Sequence, residues 1–303
     1  MIRNLKRPPI NLKKALPILL VADLMMALQA VFVKYAFSYF STNFLVFFRC
    51  VVSLIILLIW LVVQKKKFST FFHTKALKYH LIRSLAGVGA IYCLYYSVTS
   101  IPIAVATLLF FTSPIFIPIV ARVWLKITLF PRLFWGIGIS FFGIIFLLNP
   151  GGGLFDLMAL VALFGGILGA IASVSIRCLH YTETSEKIMT YYFTISTIIS
   201  GIVYFATPGA FHQVFTLQSL SLAFLAGVFA TLFQTLITFS GKFGPARLLS
   251  PFLYFTFIFT VFFDIWLFNR SFSWSLFIGF LFIVLGTIIM VYLYPKDDLV
   301  FKN

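Results

Sequence analysis

Charge is scarce in this sequence. Charged residues make up 10% of its 303 positions, and only seven are acidic. A chain that is 62% hydrophobic cannot hide that much apolar surface from water as a soluble domain. Cysteine is nearly absent too. Cys50, Cys93 and Cys178 lie in or at the ends of apolar runs, so they read as small packing residues and not as a disulfide framework or metal site. The four histidines, His73, His80, His180 and His212, fall in loops or at span ends without metal-ligand spacing. No His–Asp or Ser–His cluster is visible, which leaves a membrane-embedded enzyme as a distant alternative. No Gly-x-x-x-x-Gly-Lys-Ser/Thr loop occurs, so the chain itself does not hydrolyse ATP. No cofactor is expected.

What the chain does have is apolar runs of spanning length. A hydrocarbon core of roughly 30 Å takes about 20 helical residues. Ten runs qualify, near 16–36, 44–63, 80–99, 103–123, 131–148, 155–177, 187–207, 218–240, 245–267 and 274–294. The predicted fold class is an all-α integral membrane protein with ten transmembrane helices. Connections are short, the longest being the basic stretch from Gln64 to Tyr79, and leave no room for a soluble domain. The basic N-terminus ahead of an apolar run imitates a signal peptide. No small-x-small cleavage site follows it, so an uncleaved first helix is expected.

Lysine and arginine set the orientation. With the N-terminus in the cytoplasm, all of them fall on the inner side except Lys34, Arg49 and Arg270. The net charge of +16 is therefore a topology signal, and nucleic acid is not expected as a partner. All five tryptophans (Trp60, Trp124, Trp135, Trp266, Trp274) fall at predicted span ends, where an aromatic belt belongs. Both termini are expected in the cytoplasm, in the inner membrane.

The two halves of the chain echo each other. Ala106-Thr107-Leu108-Leu109 returns 140 residues later as Ala246-Arg247-Leu248-Leu249, and Gly87 falls on Gly227. At an offset of 143, Lys34 falls on Arg177, Gly136 on Gly279 and Gly143 on Gly286. Five spans per half is an odd number, so the halves run in opposite senses: a 5+5 inverted repeat, which builds a substrate site near mid-membrane. The expected divisions are a basic N-terminus over 1–15, repeats over 16–148 and 155–294, and a tail over 295–303. Pro114 and Pro118 interrupt the fourth span, which favours a protein-facing or cavity-lining position for it.

These features resemble the EamA-type members of the drug/metabolite transporter superfamily. The resemblance rests on the span count, on Lys34 and Arg177 closing the first helix of each half, and on Phe47-Phe48-Arg49 entering span two. It rests also on Thr112-Ser113-Pro114-Ile115-Phe116 and on Gly244-Pro245-Ala246 through Pro251-Phe252-Leu253-Tyr254. It covers about residues 15–294 and implies a secondary transporter for an amino acid, an amine or a solute like S-adenosylmethionine. One departure stands out. The family's glutamates after the fourth and ninth spans are replaced by Lys126 and Asn269, which puts helix capping and gating there in doubt.

Intramembrane polar residues are the candidate site, because charge in hydrocarbon is expensive. Asp23 lies nine residues past Lys14, roughly 13 Å of helix rise. It is a candidate carboxylate for a substrate amine or a coupled proton, or else a structural partner of Arg83 or Arg247. Asp264 is expected to form a structural pair with Arg49 or Lys34. Gln29, Tyr92, Tyr95, Tyr96, Ser173, Gln234 and Tyr254 are the neutral candidates for lining a cavity, against the alternative of interhelical hydrogen bonds. Aromatic walls would suit an organic solute or a cationic group. Gly165, Gly166 and Gly169 carry small-xxx-small spacing and point to close helix packing. The expected partners are a small-molecule solute and membrane lipids; a homodimer is admitted without being required. A lipid flippase is the main alternative function.

Overall fold

The computed structural model describes residues 11–65, 74–125, 133–148, 157–207, 215–243, 249–271 and 274–293. Among them are eleven α-helices: α1 (Leu12–Ala36), α2 (Thr42–Val63), α3 (Leu77–Ser100), α4 (Ile103–Phe110), α5 (Ser113–Leu125), α6 (Leu133–Leu148), α7 (Leu157–Leu179), α8 (Ser185–Ala206), α9 (Leu217–Ser240), α10 (Phe255–Phe268) and α11 (Trp274–Leu293). A 3₁₀ turn, Ser250–Tyr254, leads into α10. Seven spans, one of them made of α4 and α5 together, are long and apolar enough to cross a membrane, and Phe134–Phe146, Phe252–Phe268 and Trp274–Ile289 are shorter apolar helices. These are the ten spans of an all-α membrane protein.

Short oxygen-bearing side chains start several helices by accepting from first-turn N–H groups. Asn11 caps α1, Ser41 caps α2 and Thr184 caps α8. Thr216 and Ser219 exchange side-chain bonds at the start of α9. The cross-section is inverted relative to a soluble protein. On α8, Ser196, Ser200 and Tyr204 are buried while Ile198, Ile202 and Phe205 face outward. The apolar face is turned toward lipid and the polar face toward the other helices. Trp60, Trp124, Trp135, Trp266 and Trp274 all lie within three residues or so of a helix end.

The packing follows the inverted repeat. α1 lies on α9 as α3 lies on α7, and α2 lies on α9 as α3 lies on α8. α1 meets α10 as α7 meets α4, while α2 and α6 each meet their own counterparts, α8 and α11. The halves are interleaved, because the main contacts run between them. The α6–α11 pair shows the two-fold relation at atomic detail. A Cβ on Gly143 would stand 2.6 Å from the carbonyl of Gly279, and one on Gly286 would stand 2.5 Å from that of Gly136. Each glycine meets the counterpart of the other, as in an isologous contact. Ser140 Oγ donates to the Ile283 carbonyl at 3.3 Å across the same crossing.

Span four corrects one expectation: it is two helices, broken at Phe111–Thr112. Pro114 has no N–H for the Phe110 carbonyl, and proline disfavours the helical region for the residue before it. Thr112 takes up the break by donating its hydroxyl to Leu109 at 2.6 Å and its N–H to the same carbonyl at 3.2 Å. Pro114 and Pro118 are buried as expected. Gly165 and Gly166 of α7 pack against this span. A Cβ on Gly166 would lie 2.6 Å from Thr112 Oγ1 and 3.0 Å from the carbonyls of Leu109 and Phe110.

The missing second glutamate has a structural substitute. Asn269 ends α10 in a left-handed conformation (φ 49°), and its N–H and that of Arg270 both reach the Asp264 carbonyl. Asparagine tolerates that conformation better than most residues. Lys126, Arg247 and the repeat residues Ala246 to Leu248 lie outside the described residues.

Candidate functional site

Buried polar groups gather in two places inside the bundle. The first lies where α1, α2, α3 and α8 converge. Gln29 is fully buried, and its amide donates to the Tyr95 hydroxyl at 3.1 Å. Tyr95 lies beside the guanidinium of Arg49, which also engages the Tyr192 hydroxyl. Arg83 sets its guanidinium 4.1 Å from the centroid of the same Tyr192 ring. Gly87, one turn on from Arg83, makes the room, since a Cβ there would stand 2.7 Å from that ring.

Arg49 is 2% exposed and Arg83 is 4% exposed. An arginine near the centre of a membrane helix costs about 3 kcal/mol. Among the described residues neither has an ion pair; the pairs there join Glu183 to Lys187 (2.8 Å) and to His80 (4.0 Å). The Nε of each guanidinium, Gln29 Oε1, the Tyr92 hydroxyl and Ser196 Oγ are buried without a hydrogen-bond partner among the described residues.

The second group lies where α1 meets the start of span nine. Asp23 is fully buried, and Thr256 Oγ1 donates to its Oδ1 at 2.8 Å, while Oδ2 has no hydrogen-bond partner among the described residues. The expected partner Arg83 is committed to Tyr192 instead. Thr256 stands just past the 3₁₀ turn. The 143-residue offset places Asp23 of α1 on Gly166 of α7, and Gly166 is the residue that packs on the break in span four. Both repeats therefore bring the same helix position to an interrupted span. One half puts a carboxylate there and the other a glycine.

The remaining candidates divide. Gln234 is buried on the face of α9 whose Thr231 donates to Ser53 Oγ of α2 at 2.7 Å. Tyr254 is buried in the 3₁₀ turn with its hydroxyl 2.9 Å from Thr287 Oγ1 of α11. Tyr96 and Ser173 lie apart from both groups. Tyr96 is 41% exposed and donates to Asn43, because its position on α3 faces away from the interleaved interior. Ser173 bonds back to the Gly169 carbonyl of its own helix at 2.8 Å, a local bond that serves no other span. Asp264 is held in a structural contact, and Lys34, one of its two expected partners, is among the charges that act on it. Its Oδ2 accepts from the Ala104 N–H at 2.7 Å, capping α4 from the other half, and Arg49 is engaged elsewhere. Lys34 stays at that end, donating to the Ile101 carbonyl at 3.4 Å.

Arg49 and Arg83 were missed as site residues because orientation counting treats every cation as a loop charge. Their signal was present all the same. Phe47-Phe48-Arg49 sits inside an unbroken apolar run with no acid in it.

Interrupted spans at matching positions of inverted halves, with ionisable groups against them, are the arrangement of a transporter site. Residues 13–149 match the EamA-like transporter family, and residues 156–292 match it again. The chain belongs to the EamA-like transporter family. It is also similar to the pseudopaline exporter CntI from two strains of Pseudomonas aeruginosa. The identity is 24% over 190 residues, which is 62% of this chain and 66% of the relative. A solved protein crystal structure shares the fold with a TM-score of 0.66 at 16% identity, covering 91% of this chain and 96% of that one. A surface groove of about 540 Å³ lies outside the polar interior. Phe134, Trp135, Gly138, Ile139, Phe142 and Phe282 line it, with the Trp135 indole N–H as the one polar side-chain group among them.

Proposed function

We propose that this EamA-family protein is a secondary transporter that moves a small organic metabolite across the inner membrane by alternating access, with both termini in the cytoplasm. The observation that carries the reading is Asp23: a buried carboxylate with one free oxygen, held by Thr256 at the interrupted start of span nine. A carboxylate with no stabilising partner charge is costly in that setting unless it binds or releases something. The solute classes that suit it are amino acids, amines and molecules like S-adenosylmethionine. The resemblance to an exporter of pseudopaline favours export of a metabolite over import. The solute gradient, exchange or protons would supply the energy.

The test compares metabolites inside cells and in the medium for the native protein, an Asp23→Asn variant and an empty control. The expected result is at least one solute moved by the native protein alone, with the variant at least tenfold slower. Equal movement by both forms would remove Asp23 from the mechanism and leave transport standing.

A further inference from the structure

We infer that Arg49, reinforced by Arg83, is an anion-binding subsite at mid-membrane, and that the transported solute carries a carboxylate. The inference deepens the transporter reading above and rests on it.

Depth comes first. α2 and α8 are both 22 residues long and run antiparallel. Asn43 bonds to Thr207 at one end, and Leu57 and Leu61 cluster with Met189 and Phe193 at the other. Arg49 lies seven residues from the start of α2, and Tyr192 seven residues from the start of α8, at opposite ends of the pair. Seven residues are about 10 Å of a helix that spans roughly 33 Å. Two long side chains that reach each other from those levels meet near the middle. At the 143-residue offset Arg49 and Tyr192 are also equivalent positions, so their contact sits where the two repeats exchange. That is where an inverted-repeat transporter holds its solute.

Chemistry comes second. Two guanidiniums flank one tyrosine, and no carboxylate among the described residues pairs with either. The unpartnered Nε of Arg49 leaves donor capacity for a planar anion. Arginine presents a rigid fork that matches a carboxylate with two parallel hydrogen bonds. Gln29 and Tyr95 form a polar wall beside it. Asp23 lies six residues before Gln29, about 9 Å along α1 and about 120° around it. A solute with a carboxylate at one end and an amine at the other would answer both groups.

The experiment measures metabolite distribution across the membrane of cells making native protein, Arg49→Gln or Arg49→Lys. Thermal unfolding of each purified protein in detergent, without added solute, is measured alongside. We expect every solute that depends on the protein to carry a carboxylate. Arg49→Gln should lower transport at least tenfold, Arg49→Lys should retain part of it, and the Gln variant should unfold at the same or a higher temperature than native. A residue kept for binding leaves an unmatched charge in the empty protein, so its removal relieves the fold. The inference is overturned if the solute moved has no anionic group, if Arg49→Gln transports like native, or if that variant unfolds several degrees lower or fails to fold. Any of these leaves the transporter reading intact. No solute moved by the native protein would bring down the transporter reading itself, and this one with it.

Discussion

At the scale of single residues, the interior depends on polar atoms that have one partner and room for another. Gln29 and Tyr95 are the simplest case. The amide donates to the hydroxyl at 3.1 Å, and Gln29 Oε1 stays free among the described residues. Interhelical bonds of this kind contribute about 1 kcal/mol in membranes. Tyr95→Phe keeps the ring and removes the acceptor, so it should cost about 1 kcal/mol. A double-mutant cycle with Gln29→Leu, read by unfolding, should return a coupling of the same size. A coupling near zero would mean that the two residues are held by packing alone. Asp264 shows the other use of a buried acid. It binds a backbone N–H at the start of α4, where the helix dipole favours negative charge. The two intramembrane acids of the sequence thus differ in their surroundings, while each keeps one oxygen without a hydrogen-bond partner among the described residues.

At the scale of elements, the α6–α11 crossing is a close joint between the halves. Glycine is required there because carbonyl oxygens of one helix lie against the Cα of the other. Gly286→Val should cost about 3 kcal/mol by overpacking, because the atoms it meets include backbone of Gly136 and Ser140. Gly138→Ala on the same α6 should be neutral, since nothing lies within 4 Å of its Cβ position. Unfolding midpoints of the two variants in one detergent decide the point, and equal midpoints would refute the close approach. Span four was readable only in part. The two prolines marked it as special, and its burial followed from them. The location of the break did not, because it depends on Thr112 bonding the Leu109 carbonyl and on Gly166 leaving room beside it. Tyr92 and Tyr96 do share one side of α3 by periodicity, but α3 turns that side partly outward.

At the scale of the whole molecule, the charge distribution predicts both chain ends on the cytoplasmic side. Reporters active only in the cytoplasm should work when fused to either terminus. Reporters active only outside should work when inserted after Ser38, between α1 and α2. A signal from one terminus alone would break the even span count. The fold class, the span count and the repeat were legible in the sequence because they rest on quantities summed over many residues. Hydropathy over twenty positions, the charges of many loops and a register of recurring glycines all survive local irregularity. The repeat even named the residues that meet at α6 and α11. What the sequence could not supply was which side chains face one another across interleaved halves. Arg49 and Arg83 looked like topology charges until the packing of α2, α3 and α8 buried them around Tyr192. Asp23 and Asp264 looked alike until one met a hydroxyl at an interrupted span and the other met a helix end. The sequence by itself determined a ten-span inverted repeat in a membrane, because bulk hydrophobicity and charge decide that. Only the tertiary structure decided where its polar interior lies. That depends on contacts between residues up to 233 positions apart, which no local pattern encodes.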